Sequence, residues 1–205
     1  MPSLQKNHWL DTDKGKGGKR LAIMKAALRL FAAKGAAETS VPAIAQTAKV
    51  AVGTLYCHFK SKEALANHLI IEACEAFCRH LWDGFPHDAP FRQQFGFFWR
   101  RYISFALSQP DAFAFVHGRA KDMELNGASK KALATLAETE NWVLDRGLAT
   151  RELAPMPIPV LGAMVHGTAN ALAQAHNDSA IKLDDILISQ TENCCWEAVR
   201  NKGRE

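Results

Sequence analysis

The amino-acid sequence predicts an all-α protein of about nine helices. Apolar residues recur at helical spacing in consecutive segments, and no segment shows the sustained alternation with hairpin turns that β-strands require. Glycine, proline and asparagine mark the limits of these segments. At 205 residues, of which 48% are apolar, the chain is long enough for one large domain or for a small domain joined to a larger one.

The first predicted elements are a polar arm and a helix. Residues 1–18 end in a polar, glycine-rich run that cannot bury enough apolar surface to fold, so we expect a flexible basic arm. The lysines of this arm either reach phosphates or a minor groove, or belong to an inert solvated tail. From Lys19 the spacing becomes helical, and Gly35 suits the C-cap of that helix. The apolar face of the helix consists of Leu21, Met24, Ala27, Leu28 and Phe31.

Two short helices and a long one are predicted next. Ser40 is a natural N-cap, and Pro42 lies in the first turn of the helix that follows, where a missing N–H group has little effect. A third helix is expected over residues 52–58, and a fourth from Lys62 to about residue 81. The polar, proline-containing run at residues 83–90 then breaks the helical pattern.

The rest of the chain is predicted to be a helical bundle. Its breaks lie at Pro110, at Asn126, at the prolines of residues 155–159 and at Asn177. The helices predicted between these breaks are residues 91–107, 111–122, 127–148, 159–176 and 183–200.

Charge is distributed unevenly along the chain. The net charge is +4, but residues 1–70 hold 11 Lys and Arg against 4 Asp and Glu, whereas residues 71–205 hold 14 against 17. A basic amino-terminal third on a mildly acidic remainder indicates that one end meets a polyanion and the other does not.

No targeting segment, membrane span or metal site is expected. The first residues lack the apolar run and cleavage site of a secretory signal, and no run of about 18 apolar residues occurs. The five cysteines are odd in number; Cys74 and Cys78 lie one helical turn apart, but no second pair completes a zinc site. We therefore expect free thiols, no cofactor and a cytoplasmic location.

Residues 39–65 carry the pattern with the most specific chemistry. They predict two short helices around a tight turn, followed by an aromatic, hydroxyl and basic cluster. In a helix-turn-helix unit the first helix braces the backbone and the second presents side chains to base edges. The apolar residues that would pack the two helices together are Val41, Ile44, Ala45, Val50 and Leu55.

The second of these helices suits DNA in size and chemistry. It begins with small residues, so its N-terminus is able to approach DNA closely. A hydroxyl, an imidazole and two ammonium groups follow, which suit phosphate oxygens and belong to Tyr56, His58, Lys60 and Lys62. The N-terminus of the fourth helix adds a favourable dipole for an anion. The alternative is a purely structural hairpin in which Tyr56 and His58 serve as caps.

Residues 20–66 resemble the DNA-binding domain of the tetracycline-repressor (TetR/AcrR) family. The resembling positions fall in register without a gap: Ala26-Ala27-x-x-Leu30-Phe31-x-x-x-Gly35 and Thr39-Ser40-Val41-x-x-Ile44-Ala45-x-x-Ala48-x-Val50-x-x-Gly53-Thr54-Leu55-Tyr56-x-His58-Phe59-x-Ser61-Lys62-x-x-Leu65. The resemblance implies a helix-turn-helix DNA-binding domain over residues 19–66 and a helical ligand-binding and dimerisation domain over residues 67–205.

The resemblance also implies which residues meet DNA. Base contacts are expected mainly from Val52, Gly53 and Thr54. Phosphate contacts are expected from Thr39, Tyr56, His58, Lys60 and Lys62, and the expected DNA-binding set is completed by Ser40 and Lys49.

Three positions depart from the family's pattern. Lys49 replaces the usual glycine of the turn, and a positive φ at this position would cost a non-glycine residue roughly 1 kcal/mol. Ala51 replaces the usual serine and removes an N-cap from the recognition helix. Cys57 replaces an aromatic residue that often precedes the histidine.

Segment 91–115 is crowded with aromatic residues, which are usual in a core. A helical bundle is also able to keep an apolar cavity with a few polar groups that orient a ligand. The expected ligand-binding residues are Trp99, Arg101, Tyr102, Phe105, His117, His166 and Asn170. The polar members of this set are equally compatible with satisfied core groups or surface residues.

Segment 159–176 is rich in small residues and poor in charge, which allows close helix approach. Because members of the family dimerise through their last helices, and two half-sites need a two-fold protein, we expect a homodimer. The expected interface residues are Gly162, Val165, Ala169, Leu172, Leu187, Trp196 and Val199. The alternative is an internal buried helix.

These observations together predict a ligand-responsive transcriptional regulator, with a repressor expected. It would bind palindromic double-stranded DNA as a homodimer and be released by a small, largely apolar effector. The alternative is a DNA-binding dimer without a small-molecule effector. No nucleophile elbow, phosphate loop or paired metal-ligand motif supports an enzyme, so no catalytic residue is expected.

Overall fold

The computed structural model describes Leu10, residues 18–120 and residues 123–204. The arm predicted over residues 1–18 therefore lies outside the described residues, apart from its two described positions. Regular structure in the described part of the chain is helical, with one isolated β-bridge. The prediction of an all-α fold is confirmed.

The described residues form nine α-helices. In chain order these are α1 (Gly18–Glu38), α2 (Val41–Thr47), α3 (Val52–His58), α4 (Lys62–Trp82), α5 (Phe91–Ser108), α6 (Pro110–Ala114), α7 (Gly127–Ala149), α8 (Ile158–Asn177) and α9 (Asp185–Val199). The helix predicted at about 111–122 differs most from expectation. It is the five-residue α6, which continues directly into a π-helical turn, Phe115–Arg119.

Local sequence signals account for several helix ends. Gly35 interrupts α1 with a φ of 85°, which suits glycine and little else, at the point where the sequence predicts the helix end. The Ser40 hydroxyl accepts a hydrogen bond from the Ala43 N–H at 3.3 Å and so caps α2. Asp184 caps α9 in the same way through the Leu187 N–H at 2.9 Å.

Packing divides the chain into two units. Unit 1 comprises the described residues up to Phe77 together with Ser108–Thr135, and unit 2 comprises Cys78–Leu107 and the described residues from Leu136 onward. Helices α4 and α7 contribute residues to both units. Unit 1 thus holds the helix-turn-helix helices together with α6, the π-helical turn and the start of α7. The domain limit after residue 66 stays a sequence-based prediction.

Helix α1 organises unit 1, because α2, α3, α6 and the π-helical turn all pack against it. The rings of Phe31 on α1 and Phe115 in the π-helical turn stack with centroids 5.7 Å apart. Phe31, Ile44 and Leu55 are completely buried. Each of the first three helices therefore places a large apolar side chain in the core, which fixes α2 and α3 on α1.

Unit 2 combines an aromatic core with one strong ion pair. The Arg92 guanidinium of α5 donates to both carboxylate oxygens of Glu192 on α9, at 2.6 and 3.1 Å, and lies 5.1 Å from the ring centroid of Trp196. Glu192 is buried, so the paired guanidinium is what makes its charge tolerable. At Gly147 an added Cβ would lie 2.5 Å from Cζ of Phe91, so only glycine fits there without a shift.

The described residues bear on the predictions about membranes, metals and thiols. No helix in that part of the chain is long and apolar enough to cross a membrane. The same residues contain no group of three His, Cys, Asp or Glu side chains placed to hold a metal ion. All five cysteines have free thiols.

Candidate functional site

The turn between α2 and α3 has the geometry of a helix-turn-helix connection. Lys49 has a φ of 56°, and the Val50 N–H bonds back to the Ala45 carbonyl at 2.9 Å. Lys49 therefore stands in the left-handed conformation for which the family uses glycine, at a cost of about 1 kcal/mol. Its side chain is exposed, which leaves the ammonium available to a phosphate.

Helix α3 is anchored on one side and exposed on the other. Leu55 is completely buried, while Tyr56 is 52% exposed and Val52 is also largely exposed. Val52 and Tyr56 belong to the few large apolar side chains that the described residues leave exposed, which marks this face as a binding surface. Gly53 and His58 are exposed as well, and Thr54 is half-buried.

The N-terminus of α3 lacks a side-chain cap. Ala51 occupies the N-cap position with extended backbone angles, and no side chain bonds to the first N–H groups of the helix. Those N–H groups point out of the helix end and carry its positive dipole. The Thr54 N–H bonds instead to the Ala51 carbonyl at 2.9 Å, which closes the first turn without a side-chain cap.

The start of α4 brings two lysines beside α3. The Ser61 hydroxyl accepts from the Ala64 N–H at 3.1 Å and caps α4. Lys60 is exposed, whereas Nζ of Lys62 donates to the Ala37 carbonyl at 3.3 Å. Lys62 therefore braces the end of α1, and its two remaining N–H groups are left for another acceptor.

Thr39 is the predicted contact residue whose placement fits DNA least. Its side chain is 1% exposed, and the hydroxyl donates to the Gly35 carbonyl at 2.7 Å. The hydroxyl thus closes the end of α1 just before Ser40 opens α2. This placement argues against the phosphate contact expected of it.

Arg20 supports the DNA-facing part of unit 1 in a way that the sequence pattern did not reveal. Its guanidinium lies 5.1 Å from the ring centroid of Phe59, the residue that follows α3, and Nη2 lies 2.8 Å from Nε2 of His68. Arg20 thus links α1 to the α3–α4 connection.

Part of the predicted ligand-binding set meets in the core of unit 2. The Tyr102 hydroxyl donates to Oδ1 of Asn170 at 3.0 Å, and its ring stacks on His166 with centroids 5.4 Å apart. The Tyr102 hydroxyl also bonds to the carboxyl of Glu140, which the sequence analysis missed. Burial raises the pKa of Glu140 to about 7, against the opposing effect of the Tyr102 bond.

Several buried polar atoms of unit 2 have no hydrogen-bond partner in the structure. They include Nε1 of Trp99, a donor, and Nε2 of His166, together with Nε2 of His80 and Oε1 of Gln94. Burial lowers the pKa of His166 to about 4, so its ring is neutral at pH 7. The Glu140 backbone carbonyl bonds to this ring, and because Nε2 is the atom without a partner, Nδ1 is the donor and Nε2 the free acceptor. Unpaired buried groups destabilise a fold, so they mark places where a ligand or water would be stabilised.

The remaining predicted ligand residues lie elsewhere. Arg101 donates to the His80 carbonyl at 2.7 Å and to the Asp83 carboxylate at 3.0 Å, and Phe105 packs on the His80 ring. His117 belongs to unit 1, where its ring packs on Phe113. Arg101, Phe105 and His117 therefore do not join the Tyr102 cluster.

The predicted interface residues divide by their side of the helix. Val165, Ala169 and Val199 are buried in the core of unit 2, so they cannot meet a second chain. Gly162, Leu172, Leu187 and Trp196 are half-buried. The exposed apolar positions of the last two helices are different ones, chiefly Ile186, which is 70% exposed, and Val160.

Comparison with known families decides the class. A family model described as "Bacterial regulatory proteins, tetR family" matches residues 23–69, and one described as "Tetracyclin repressor-like, C-terminal domain" matches residues 70–201. The chain belongs to the TetR family. It is therefore a TetR-type transcriptional regulator with a DNA-binding helix-turn-helix, as its sequence predicts.

Individual curated relatives match this TetR-family chain over short stretches. YerO of Bacillus subtilis (strain 168), an uncharacterized HTH-type transcriptional regulator, is 44% identical over 59 residues, which are 29% of this chain and 19% of that protein. The HTH-type transcriptional repressor KstR2 of Rhodococcus jostii (strain RHA1) is 38% identical over 60 residues, 29% of each chain. The matches thus span less than a third of these curated relatives.

A solved structure extends the likeness to the rest of the fold. A TetR family transcription regulator from Marinobacter aquaeolei VT8 superposes with a TM-score of 0.73 over 90% of this chain and 97% of that one, at 23% identity. The helix-turn-helix with a carboxy-terminal helical bundle is therefore the shared fold.

Proposed function

We propose that this chain is a transcriptional repressor that binds a two-fold symmetric DNA operator as a homodimer and is released by a small, largely apolar effector. The observation that carries the proposal is the exposed face of α3 beside a cluster of basic residues. A recognition helix anchored by one buried leucine and free on its other side is what major-groove docking needs. Cytoplasmic location and the absence of catalysis remain predictions.

Each exposed group has a proposed part in DNA binding. Val52, Gly53 and Thr54, at the start of α3, face the base edges. Phosphate oxygens are bound by Lys49 and by the groups that follow, namely Ser40, Tyr56, His58, Lys60 and Lys62. We leave Thr39 out because its hydroxyl is already bonded to Gly35.

Lys60 provides the cleanest test of DNA binding. Its side chain is exposed, and Lys60→Ala removes one ammonium without disturbing packing. We expect the slope of log affinity against log salt to fall by about one unit on duplex DNA of any sequence. Lys182→Ala, at an exposed position in unit 2, is the control and should leave the slope unchanged. Equal slopes for both variants and the wild type would exclude the phosphate contact.

Thr54→Ala tests whether Thr54 contacts bases and so contributes to recognition of the operator sequence. A base-contacting hydroxyl should change the ranking of operators by about 1–3 kcal/mol per base pair while leaving the salt slope intact. Binding measured against a panel of single-base operator variants separates the two effects. A uniform loss across the panel would move Thr54 to the phosphate-contacting group.

The proposed effector site lies around the Tyr102 cluster of unit 2. Its support is the unpaired acceptor on His166, which the hydroxyl of an apolar ligand would satisfy, and the unpaired donor on Trp99 of the same unit, which a carbonyl or hydroxyl oxygen would satisfy. Each of these atoms favours an effector-binding regulator over a dimer without an effector. Tyr102 and Asn170 would orient the ligand.

A thermal-shift screen of apolar compounds that carry one hydroxyl or carbonyl group tests the effector. We expect compounds that raise Tm to release operator DNA as well, because a ligand acts only through its preference for one state. Asn170→Leu should abolish both responses to those compounds. Compounds that raise Tm without releasing DNA would favour the alternative without an effector.

A further inference from the structure

We propose that the Asn67 carboxamide is a positioning group for DNA binding: it fastens α4 to residues 123–129 and thereby fixes the orientation in which α3 meets DNA. This inference rests on the proposed DNA-binding function. Asn67 lies outside the recognition surface. Through it, a structural change elsewhere in the protein would alter the orientation of α3.

Asn67 is a buried side chain with three bonds to the backbone. It lies in the second turn of α4 and is 5% exposed. Nδ2 donates to the Glu63 carbonyl at 2.9 Å and to the Glu124 carbonyl at 3.1 Å, while Oδ1 accepts from the Asn126 N–H at 2.9 Å. One carboxamide thus joins α4 to both sides of Leu125.

The chemistry of this clamp needs a carboxamide. Glu124 offers an acceptor and Asn126 a donor, and only an amide side chain donates and accepts at the same time with this geometry. Removing it would leave a carbonyl and an N–H without partners, at about 1–3 kcal/mol for each buried group. A further bond joins the same two segments, because the hydroxyl of the buried Ser129 donates to the main-chain carbonyl of Asn67 at 3.2 Å.

The clamp acts on the start of α7 as well. Oδ1 of Asn126 accepts from the Ser129 N–H at 2.9 Å and so caps α7. Asn67 holds the backbone of that capping residue. The position of the α7 N-terminus relative to α4 is therefore set by a single side chain and its neighbours.

On its other side, α4 is linked closely to the recognition helix. α3 ends at His58 and α4 begins at Lys62, so only three residues separate them. Phe59 in this connection packs against the ring of His68, the residue next to Asn67, with centroids 5.9 Å apart. A change in the orientation of the first turns of α4 therefore shifts α3 relative to the base edges.

The two clamped helices are also the ones that continue into unit 2. α4 runs on to Trp82 and α7 to Ala149. A displacement of the start of α7 would therefore move α4 through the bonds of Asn67, and α4 would in turn move α3. Coupling of this kind is a free energy shared by two sites and is reciprocal, so DNA bound at α3 must in turn stabilise residues 123–129.

A purely structural role is the competing explanation, and the chain offers a matched control for it. Gln94 in unit 2 is also a fully buried carboxamide, and its Nε2 donates to the His87 carbonyl at 2.9 Å and the Ala89 carbonyl at 2.8 Å. Gln94→Ala likewise removes two amide-to-carbonyl bonds, in the unit that lacks the recognition helix, whereas Asn67→Ala also removes the acceptor of the Asn126 N–H. A loss of stability alone should therefore appear in both variants.

The test uses operator DNA that the wild-type protein selects from a random duplex library. At a temperature where circular dichroism finds all variants folded, we expect Asn67→Ala to weaken operator binding about ten-fold or more, and Gln94→Ala less than about two-fold. Equal affinities of the two variants for the selected operator would overturn the proposal. Failure of the wild type to select any sequence would instead refute DNA binding itself.

Hydrogen exchange on the wild type keeps the proposal testable even if Asn67→Ala does not fold. Binding of the selected operator should slow exchange of the Asn126 amide, whose N–H is held by Asn67. Asn67→Asp, which keeps the acceptor but loses the Nδ2 donors, should reduce this protection. Unchanged exchange at Asn126 on DNA binding would show that the clamp does not communicate with α3.

Discussion

Replacing Ile186 with glutamate is expected to convert the protein to a monomer and to weaken operator binding by about 100-fold or more, because a monomer binds one half-site where a dimer binds two. Ile186 lies at the start of α9 and is 70% exposed, which is unusual for a branched apolar side chain unless a partner covers it. A carboxylate at the centre of a symmetric contact would meet its own copy.

The substitution leaves the fold of the protomer intact. A glutamate near a helix N-terminus complements the helix dipole, so α9 itself should not be weakened. Sedimentation velocity gives the oligomeric state, and titration of the selected operator gives the affinity. Ala137→Glu, which places the same charge at an exposed position of α7, is the control and should remain dimeric. A dimeric Ile186→Glu variant with wild-type affinity would remove α9 from the interface.

The predicted interface residues of α8 illustrate what a helical pattern does not settle. The small-residue composition of α8 indicated a close contact, and its spacing placed Val165 and Ala169 on one face. In a helix with apolar and small residues all round, however, the period does not tell which face turns outward. In the structure Val165 and Ala169 face the core of unit 2, and the exposed face carries Val160, Ala163 and Gly167.

The helix-turn-helix was predictable because its signals are local. Its signals lie within a few residues of each other in the sequence. They are the glycine that interrupts α1, the Ser40 cap and the short spacing between the first helices. The uncapped start of α3 follows from Ala51 itself, whereas the positive φ of Lys49 was implied only by the resemblance to a family that has glycine at this position. Local hydrogen bonds and sterics decide these features, so the rest of the fold has little influence on them.

The buried polar groups were not predictable in the same way. Glu140 lies in a polar stretch of α7 whose sequence predicts a solvent-exposed face, and its partner Tyr102 belongs to α5. Asn67 likewise looks like an ordinary polar residue of a helix. Burial of these side chains depends on which elements pack over them, and a single sequence without tertiary contacts does not contain that information.

Glu140→Gln is expected to change how stability depends on pH. The pKa of Glu140 is about 7 in the folded protein, against an ordinary value of 4.5 in the unfolded chain, because burial disfavours the charged carboxylate. Between these values the folded protein holds a proton that the unfolded chain has released. The free energy of unfolding therefore falls as pH rises from about 4.5 to about 7 and stays low above that range.

The buried histidines have the opposite effect on how the free energy of unfolding depends on pH. Burial lowers the pKa values of His80 and His166 from 6.5 to about 4. The unfolded chain therefore binds more protons than the folded one in that range, and stability rises as pH increases from about 4 to 6.5. Because two histidines outweigh one carboxyl until the histidines are largely deprotonated in the unfolded chain, the wild type should be most stable where the two effects cancel, at about pH 7.

The difference between Glu140→Gln and the wild type isolates the carboxyl, because both proteins keep the histidines. We expect the free energy of unfolding of the variant, relative to that of the wild type, to rise by about 3 kcal/mol between pH 4.5 and pH 8. Urea unfolding at several pH values measures it, and Glu138→Gln, at an exposed glutamate of the same helix, is the control. Parallel profiles for the wild type and Glu140→Gln would mean that Glu140 is already ionised in the folded protein. A buried carboxylate of that kind needs a cationic partner, and the Tyr102 cluster would then suit a cationic effector instead of the neutral one proposed here.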